Sequence, residues 1–357
     1  MANIIKNENY NIYIDNSMKG LDSYFKNHKE DFSKVFILVD ENTHDSCVPL
    51  LLSNVEYLQE SEILEIDFGE EHKNIETATG LWHALLENEA DRKTLIINLG
   101  GGVITDLGGF VASTFKRGIS FINIPTSLLA QIDASVGSKT GVDLAYSKNQ
   151  VGLFAHPKAV FINTDFVNTL PDRELKSALG EFIKYALISD FVLWNMLINQ
   201  EYGRDMDFGF MVNECLNIKN NLISEDLYEK GPRKILNFGH TIGHALESLS
   251  VKRNKRPLRH GEAVALGIIV ELYLSVKVLS FDRYQKEKIE KYILDNFSFC
   301  SIEKSDFDEL LNLMRKDKKN IDGKISFVLL SEIGKAHYDQ FIEEDLIIEA
   351  LDYYINL

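Results

Sequence analysis

The first half of the chain alternates short apolar segments with segments of helical period. Five apolar segments rich in β-branched residues cover residues 34–40, 63–69, 94–102, 119–127 and 159–167. Segments of this length and composition predict buried strands, and strands that alternate with helices predict a parallel sheet. Ligands of such sheets bind beyond the carboxyl ends of the strands. We therefore expect an α/β nucleotide-binding layer in this half.

The second half shows a series of amphipathic helical stretches. One exception, residues 324–340, has the pattern of a short β-hairpin. Because 357 residues are many for a single hydrophobic core, we predict two domains. The change of pattern places their boundary between residues 172 and 173, which gives domains 1–172 and 173–357.

Composition and charge narrow the class of protein. The chain is 45% apolar and carries a formal charge of −16, which argues against a general role in gripping nucleic acid. Three cysteines are too few for a disulfide framework, and the N-terminus lacks the pattern of a signal peptide. The apolar run 263–279 is interrupted by Glu271 and Lys277, so it predicts a buried helix and no membrane span. A cytoplasmic protein is the expectation.

A glycine-rich turn at residues 98–110 follows a predicted strand and opens a predicted helix. Successive glycines let the backbone approach a pyrophosphate, although the spacing is not the usual dinucleotide fingerprint and the turn could simply connect two elements. Asp40 and Asn42 follow an earlier strand, where an acidic side chain can bind a ribose. Together these features favour NAD. A capping role for Asp40 stays open.

A polar segment, residues 128–152, reads as a loop that follows directly on a buried strand. It contains Asp133, Lys139, Lys148 and Asn149. Lysines bind phosphate as point charges, and an amide adds directional hydrogen bonds. The segment therefore predicts an anion site, with solvated surface charge as the alternative for any single lysine.

Candidate metal ligands lie in the second half. Glu181 and Lys184 share one face of an apolar helix, as a structural ion pair or as a carboxylate ligand with a cationic neighbour. His240 and His244 are one helical turn apart, and His260 begins the next apolar helix. A catalytic zinc needs three protein ligands and an open position. Glu181, His240 and His260 could supply them, which leaves His244 for proton transfer.

Charged residues on both sides of the histidines predict a pocket for an anion. Lys219, Glu229, Arg233 and Asn237 precede them, and Lys318 and Lys319 follow far downstream. Taken singly, the last two lysines read as surface charges, because lysine is rarely buried unpaired.

The motifs taken together resemble those of one family. They are, in order, GGGVITDLGGFVASTFKRG, PTSLLAQIDASVGSKTGVD, KNQVG, TLPDRE, GEFIKYALI, RKILNFGHTIGHALE, HGEAVALG and DKKN. This order resembles that of 3-dehydroquinate synthase over nearly the whole chain. The resemblance implies an α/β fold with an N-terminal Rossmann-like parallel-sheet NAD-binding domain, followed by a mainly α-helical metal-binding domain. It also implies an active site in the cleft between the two domains, a homodimer, and zinc or cobalt as the metal.

The same resemblance implies an activity. Members of this family convert 3-deoxy-D-arabino-heptulosonate 7-phosphate (DAHP) to 3-dehydroquinate and phosphate, the second step of the shikimate pathway. The reaction combines transient oxidation by NAD, β-elimination of phosphate, re-reduction, ring opening and an intramolecular aldol closure.

Motif matching assigns a role to individual residues. The implied metal ligands are Glu181, His240 and His260. The implied catalytic residues are His244, Glu229, Lys184 and Asn237. The implied substrate contacts are Arg117, Asp133, Lys139, Asn149, Lys219, Arg233 and Lys318 or Lys319, with Arg117 reaching across the dimer interface. The implied cofactor contacts are Asp40, Asn42, Glu70, Lys73, Gly101, Gly102, Val103, Asp106, Thr126, Ser127, Leu129, Lys148, Thr169, Leu170 and Glu174.

The chain departs from the family pattern in three places. Ser138 replaces a glycine before Lys139, and Ala134 replaces a serine. The basic stretch 250–261 lengthens the gap between His240 and His260 and is expected to form a loop of solvated charges in front of the second helix. The alternatives are a sister sugar phosphate cyclase, a glycerol-dehydrogenase-like oxidoreductase and a non-catalytic homologue that binds NAD or a protein.

Overall fold

A computed structural model of the chain describes residues 3–144, 147–253, 256–315 and 324–357. It contains two compact units. The first comprises Met1–Pro171 and Asp207–Ser224, and the second comprises Asp172–Met206 and Glu225–Leu357.

The strands and helices have the following bounds. The first 171 residues contain β1 (Asn3–Lys6), β2 (Asn11–Ile14), α1 (Lys19–Asn27), β3 (Val35–Asp40), α2 (Glu41–Asn54), β4 (Glu62–Ile66), α3 (Ile75–Glu87), β5 (Leu95–Gly100), α4 (Gly102–Thr114), β6 (Ser120–Pro125), β7 (Lys139–Leu144), β8 (Ser147–Phe154) and β9 (Ala159–Ile162). The remainder contains α5 (Asp172–Ser189), α6 (Phe191–Ile198), α7 (Phe208–Glu225), α8 (His240–Arg253), α9 (His260–Leu279), α10 (Arg283–Asn296), α11 (Phe307–Arg315), β10 (Ser326–Glu332), β11 (Lys335–Phe341) and α12 (Glu344–Ile355).

The first unit is built on a seven-stranded sheet in the order β1-β2-β9-β6-β5-β3-β4. Only the β1–β2 pair is antiparallel, and the other five pairings are parallel. The five apolar segments of the sequence form β3, β4, β5, β6 and β9, which confirms the predicted parallel sheet. From β3 the chain continues to β4 at the edge of the sheet and then returns to β5, which pairs with the opposite side of β3. The direction in which successive strands are added therefore reverses between β3 and β5. Crevices at such reversals bind ligands in open α/β sheets.

Alternating side chains of the strands pack against helices on both faces of this sheet. In β3, Ile37 and Val39 join a core with α1 and α2, while Phe36 and Leu38 join a core with α3 and α4. Burial on both faces explains why these strands are apolar throughout instead of alternating with polar residues.

Helix α7 belongs to the first unit, although the predicted boundary assigned it to the second domain. Its side chains explain the difference. Asn213 accepts a hydrogen bond from Asn3 at 2.6 Å, and Asn220 accepts one from Asn7 at 2.7 Å. An amphipathic helical period alone does not reveal which of two cores a helix will join.

The second unit is mainly helical, as predicted, and includes the hairpin β10–β11, which forms where the sequence placed it. Helix α9 is its buried centre, with ten buried apolar residues or glycines from Ala263 to Leu274. Among the described residues, no helix combines the length and apolarity needed to cross a bilayer.

Two segments expected to be loops are ordered differently. Residues 128–152 form a π-helical turn, Ala130–Ala134, and the hairpin β7–β8. Within 250–261, helix α8 continues to Arg253, so the first four residues are helical. The helix is extended there because Lys252 pairs with Glu309 and Arg253 with Asp306, each at 2.6 Å. Residues 254 and 255 of this stretch lie outside the described part.

Candidate active site

The carboxyl ends of β3 and β5 carry the predicted nucleotide site of the first unit. Strand β5 runs into Gly101, which precedes the first turn of α4. Amides of a first helical turn have no partner within the helix and attract anions. A Cβ atom on Gly108 would lie 1.9 Å from Oδ1 of Asn98, so this glycine lets α4 pack directly on the sheet. The glycine-rich turn thus leads into a closely packed helix N-terminus, and its contact with a pyrophosphate stays a prediction.

Asp40 caps helix α2. Its carboxylate accepts the backbone N–H of Thr43 at 2.8 Å, and the Thr43 hydroxyl accepts the N–H of Asp40 at 2.9 Å. The capping alternative raised by the sequence is therefore observed. Contact between Asp40 and a ribose stays a prediction.

Lys73, which is itself buried, is the centre of a polar cluster on the same unit. Its ammonium donates to Asp106 and to Asn149, both at 2.7 Å. Glu70 lies 3.7 Å from the ammonium groups of both Lys73 and Lys148. The cluster joins four predicted cofactor contacts to Asn149, which was predicted as a substrate contact.

Asp133 and Lys219 form a second pair of predicted site residues. Lys219, which is buried on α7, donates to the main-chain oxygen of Asp133 at 2.7 Å and to its carboxylate at 2.8 Å. The nearby Lys139 begins β7 and is exposed. Ser138 before it has a φ of 62°, a value that favours the glycine of the family pattern. Its hydroxyl is 2.7 Å from Nδ1 of His156.

Other predicted residues are placed as follows. The first unit carries Asn42, Gly102, Val103, Thr126, Ser127, Leu129, Thr169 and Leu170 at the ends of its strands or in the segments that follow them. Arg117 is exposed and has a φ of 68°. Glu174 lies on α5 of the second unit, where it pairs with Arg259 at 2.9 Å. Lys318 and Lys319 lie outside the described residues.

The second unit brings four candidate metal ligands together. Oε1 of Glu181 lies 3.2 Å from Nε2 of His240 and 3.3 Å from Nε2 of His260. Nitrogen atoms of His240, His244 and His260 lie within 4.8 Å of one another. Helix α5 supplies the carboxylate, the first two turns of α8 supply two imidazoles, and the first residue of α9 supplies the third.

Two neighbours fix the orientation of the histidine rings. Nδ1 of His240 lies 3.1 Å from the main-chain oxygen of Phe238, to which it can donate. Nδ1 of His260 lies 3.2 Å from the carboxylate of Glu247. Both rings therefore direct Nε2 toward Glu181. Carboxylates and carbonyls that bind the second nitrogen of a histidine are typical of metal centres.

The protonation of the cluster follows from burial and charge. Burial opposes ionisation of Glu181, but Lys184, whose ammonium is 2.5 Å away, holds the pKa of the carboxyl well below its usual value. Burial lowers the pKa of His240 to about 3. For His260 burial acts in the same direction, but its contacts with Glu181 and Glu247 outweigh it and raise the pKa to about 10. A cation bound here would have to displace the proton of His260.

The donor set fits a divalent metal ion. Three imidazoles and one carboxylate are the ligand types that zinc and cobalt accept. Among the described residues, neither oxygen of the buried Glu181 has a hydrogen bond of regular geometry; Oε2 pairs with Lys184, and Oε1 faces the two imidazoles where a cation would bind. His244 has the geometry of a ligand as well as of a proton carrier, so its separate role stays a prediction.

A second polar group of this unit surrounds the turn before α8. Asn237 donates to the carboxylate of Glu229, whose φ is 56°. Arg233 is buried and donates to the main-chain oxygen of Leu227 at 2.5 Å. Asp226 accepts the N–H groups of Lys230, Gly231 and Arg233, which fixes the loop between them. The predicted catalytic and substrate residues 229, 233 and 237 are therefore held in one ordered segment.

Sequence reasoning missed Glu247. A signal was present, because residue 247 is seven positions after His240 and three after His244 and so shares their helical face. The position of His260 beside it depends on how α8 packs against α9, which the local pattern does not specify.

Comparison with solved structures defines the class. A crystal structure of 2-deoxy-scyllo-inosose synthase complexed with carbaglucose-6-phosphate, NAD⁺ and Co²⁺ covers 99% of this chain and 99% of its own, with a TM-score of 0.82 and 26% identity. Fold and site together define a sugar phosphate cyclase.

Sequence comparison defines the family. Residues 63–177 match the model for the N-terminal part of 3-dehydroquinate synthase, and residues 178–320 match that for the C-terminal part. The 3-dehydroquinate synthase of Parabacteroides distasonis is 42% identical over 90% of this chain and 92% of its own length. That of Dictyoglomus thermophilum is 38% identical over 97% and 96%. The chain belongs to the 3-dehydroquinate synthase family.

Proposed function

We propose that this chain converts DAHP to 3-dehydroquinate and inorganic phosphate, with NAD and a divalent cation as cofactors. Its family membership over nearly the whole chain supports the reaction. The observation that carries the proposal is the convergence of the buried Glu181 and His240 with the partly buried His260 and His244 in one cluster. A structural ion pair between Glu181 and Lys184 would not need three histidines around it.

NAD and zinc or cobalt are proposed as the cofactors because the related cyclase was crystallised with NAD⁺ and Co²⁺ and because the two predicted sites have suitable donors. When bound, NAD accepts and returns a hydride, and the metal ion polarises the substrate hydroxyls. Glu181, His240 and His260 would hold the metal. The turn at Gly101, the Lys73 cluster and the strand ends around Asp40 would hold NAD.

The residues of this chain would neutralise the charges of the substrate and transfer protons. Lys139, Lys219, Arg233 and a lysine at 318 or 319 would neutralise the phosphate and carboxylate of DAHP, since cations stabilise an anion that leaves. His244 would exchange protons, because a neutral imidazole carries one donor and one acceptor nitrogen. Asn237 orients Glu229, the proposed proton acceptor, by the hydrogen bond that it donates. Lys184 keeps Glu181 ionised.

The test is to incubate zinc-loaded protein with NAD and DAHP and to follow phosphate and 3-dehydroquinate together. Equal amounts of both products, with no build-up of NADH, are expected, because the redox change is internal. NADH formed in proportion to the substrate consumed would support an oxidoreductase instead. Sedoheptulose 7-phosphate in parallel tests the sister cyclases, and its exclusive turnover would overturn the proposal.

A homodimer, with Arg117 contributing to the site of the partner subunit, and a cytoplasmic location are proposed with this function. The left-handed backbone at Arg117 supports a special role, because such strain is retained where structure or function requires it. The predicted cleft between the domains stays a prediction.

A further inference from the structure

Glu271 is a buried acid in the middle of the apolar helix α9, with no exposed surface. Its carboxylate accepts the backbone N–H of Gly239 at 2.7 Å, of Thr241 at 3.1 Å and of Ile242 at 3.4 Å. These amides surround the first residue of α8, which is His240. One side chain of α9 therefore holds the backbone on both sides of a candidate metal ligand.

The packing beneath this contact is close. Gly239 has a φ of 81°, and a Cβ atom there would lie 2.6 Å from the side chain of Ile268. A Cβ atom on Gly267 would lie 2.1 Å from the main-chain oxygen of Gly239. Since α9 also begins with His260, about 16 Å before Glu271 along the helix axis, one helix sets the positions of two candidate ligands.

Glu271 also changes the charge at this place. The N-terminus of a helix carries a partial positive charge, which repels a cation. A divalent ion held by His240 would lie at the N-terminus of α8. The negative charge of the Glu271 carboxylate offsets this repulsion. The same carboxylate accepts hydrogen bonds from amides at that terminus, which have no partner within the helix.

We propose that Glu271 is a positioning residue of the metal centre, which fixes His240 and offsets the positive end of α8. This inference rests on the proposed metal site. A purely structural role would affect folding alone, whereas the proposed role also sets the affinity for the ion and its ligand geometry.

The test is Co²⁺ binding to metal-free wild-type protein and Glu271→Gln. Affinity is measured by competition with a chelator, and geometry by the visible absorption of bound Co²⁺. Loss of an orienting group around a metal site weakens binding roughly 10- to 100-fold. We expect a loss of this size and a changed spectrum, because the glutamine lacks the charge and can accept on only one of its two terminal atoms.

Glu290→Gln is the matched control. Glu290 is a buried acid on α10 that accepts from Lys286 at 2.8 Å and from Tyr353 at 2.7 Å. Its replacement should lower the temperature of unfolding and leave Co²⁺ affinity and spectrum unchanged. Equal losses of affinity in Glu271→Gln and Glu290→Gln would overturn the inference.

Glu271→Asp covers the case in which the glutamine variant does not fold. The aspartate side chain is shorter by one methylene, so its carboxylate cannot reach the amide of Gly239 and the amides of Thr241 and Ile242 together. Weaker Co²⁺ binding is therefore expected. Wild-type affinity in either folded variant at position 271 contradicts the inference. A wild-type protein that fails to bind Co²⁺ contradicts the proposed metal centre instead, so the two failures are distinguishable.

Discussion

At the scale of the residue, the cluster of candidate metal ligands was accessible from the sequence, and the candidate nucleotide site was less so. The spacing of His240 and His244 allowed a metal site, and Glu181 beside Lys184 in an apolar helix allowed either a metal ligand or a structural ion pair. Asp40 was ambiguous, because the same carboxylate can cap a helix or bind a ribose, and in the structure it caps α2. The contact between Glu247 and His260 could not be predicted, since it joins two helices through tertiary packing.

Replacement of single histidines separates ligands from proton carriers. His240→Ala should lose both bound zinc and turnover, because it removes an inward-facing Nε2 atom. His244→Ala should lose turnover and keep its zinc. Metal content by atomic absorption, measured beside phosphate release, checks both. If His244→Ala were also metal-free, His244 would be a ligand, in agreement with its distance from the other two rings.

Lys73→Met should weaken NAD binding, because it leaves Asp106 and Asn149 without their shared donor. A loss of roughly tenfold or more is expected for a buried charged partner. Titration of NAD by calorimetry measures it. Lys26→Met is a suitable control, since this exposed lysine pairs with Asp22 on the surface of its own helix. An unchanged dissociation constant in Lys73→Met would remove Lys73 from the cofactor site.

At the scale of the element, glycines at helix–helix contacts determine how closely the helices that carry the candidate metal ligands can pack. Each candidate ligand is preceded or followed in sequence by a glycine at a helix contact, namely Gly180, Gly239, Gly243 and Gly261. A Cβ atom on Gly180 would lie 1.9 Å from the main-chain oxygen of Gly261, and one on Gly261 would lie 1.8 Å from that of Ser177. Helices α5, α8 and α9 can therefore approach by their backbones beside the ligands.

Gly261→Ala tests this close approach. The added methyl group collides with backbone, which cannot rotate away, so we expect a loss of about 1–3 kcal/mol in the free energy of unfolding. Zinc affinity should fall as well, because α5 and α9 would separate next to Glu181 and His260. Denaturant unfolding and chelator competition provide the two measurements.

Gly80→Ala is the control for that variant. It lies in helix α3, and nothing lies within 4 Å of the added atom. Alanine is the better helix former by about 1 kcal/mol, so stability should rise slightly. A Gly261→Ala protein as stable and as rich in zinc as Gly80→Ala would contradict the role given to the glycine contacts.

At the scale of the whole molecule, the order of elements was predictable and the membership of α7 was not. Apolar strands that alternate with helices specified the parallel sheet, because burial on both faces leaves a continuous apolar signal. The polar segment after β6 appeared as a loop since its hairpin is rich in glycine and charge. Strands β1 and β2 were missed because they are only four residues long and partly exposed.

Removal of the metal should destabilise the protein. A ligand that binds only the folded state stabilises it by about 4 kcal/mol at a thousand times its dissociation constant. Treatment with a chelator should therefore lower the temperature of unfolding and abolish turnover, and added Zn²⁺ should restore both. Differential scanning calorimetry with a phosphate assay checks this. An unchanged unfolding temperature in protein shown to be free of metal would contradict a metal centre in this cluster.

Mixed dimers test the role of Arg117. Arg117→Ala and His240→Ala are each expected to be inactive. If Arg117 serves the partner subunit, random exchange of subunits should restore about a quarter of the wild-type activity, because half of the dimers are hybrids with one complete site. Activity is measured before and after mixing. No recovery after proven exchange would place Arg117 in its own subunit's site.

The discontinuity of the first unit constrains how related sequences could recombine. The backbone leaves that unit at residue 171, re-enters at 207 and leaves again at 224. A chimera joined once, after Pro171, would take its sheet from one parent and α7 from the other. Asp133 and Lys219 would then come from different parents. Viable recombinants should therefore have a second junction between residues 171 and 207, so that the sheet and α7 share one parent.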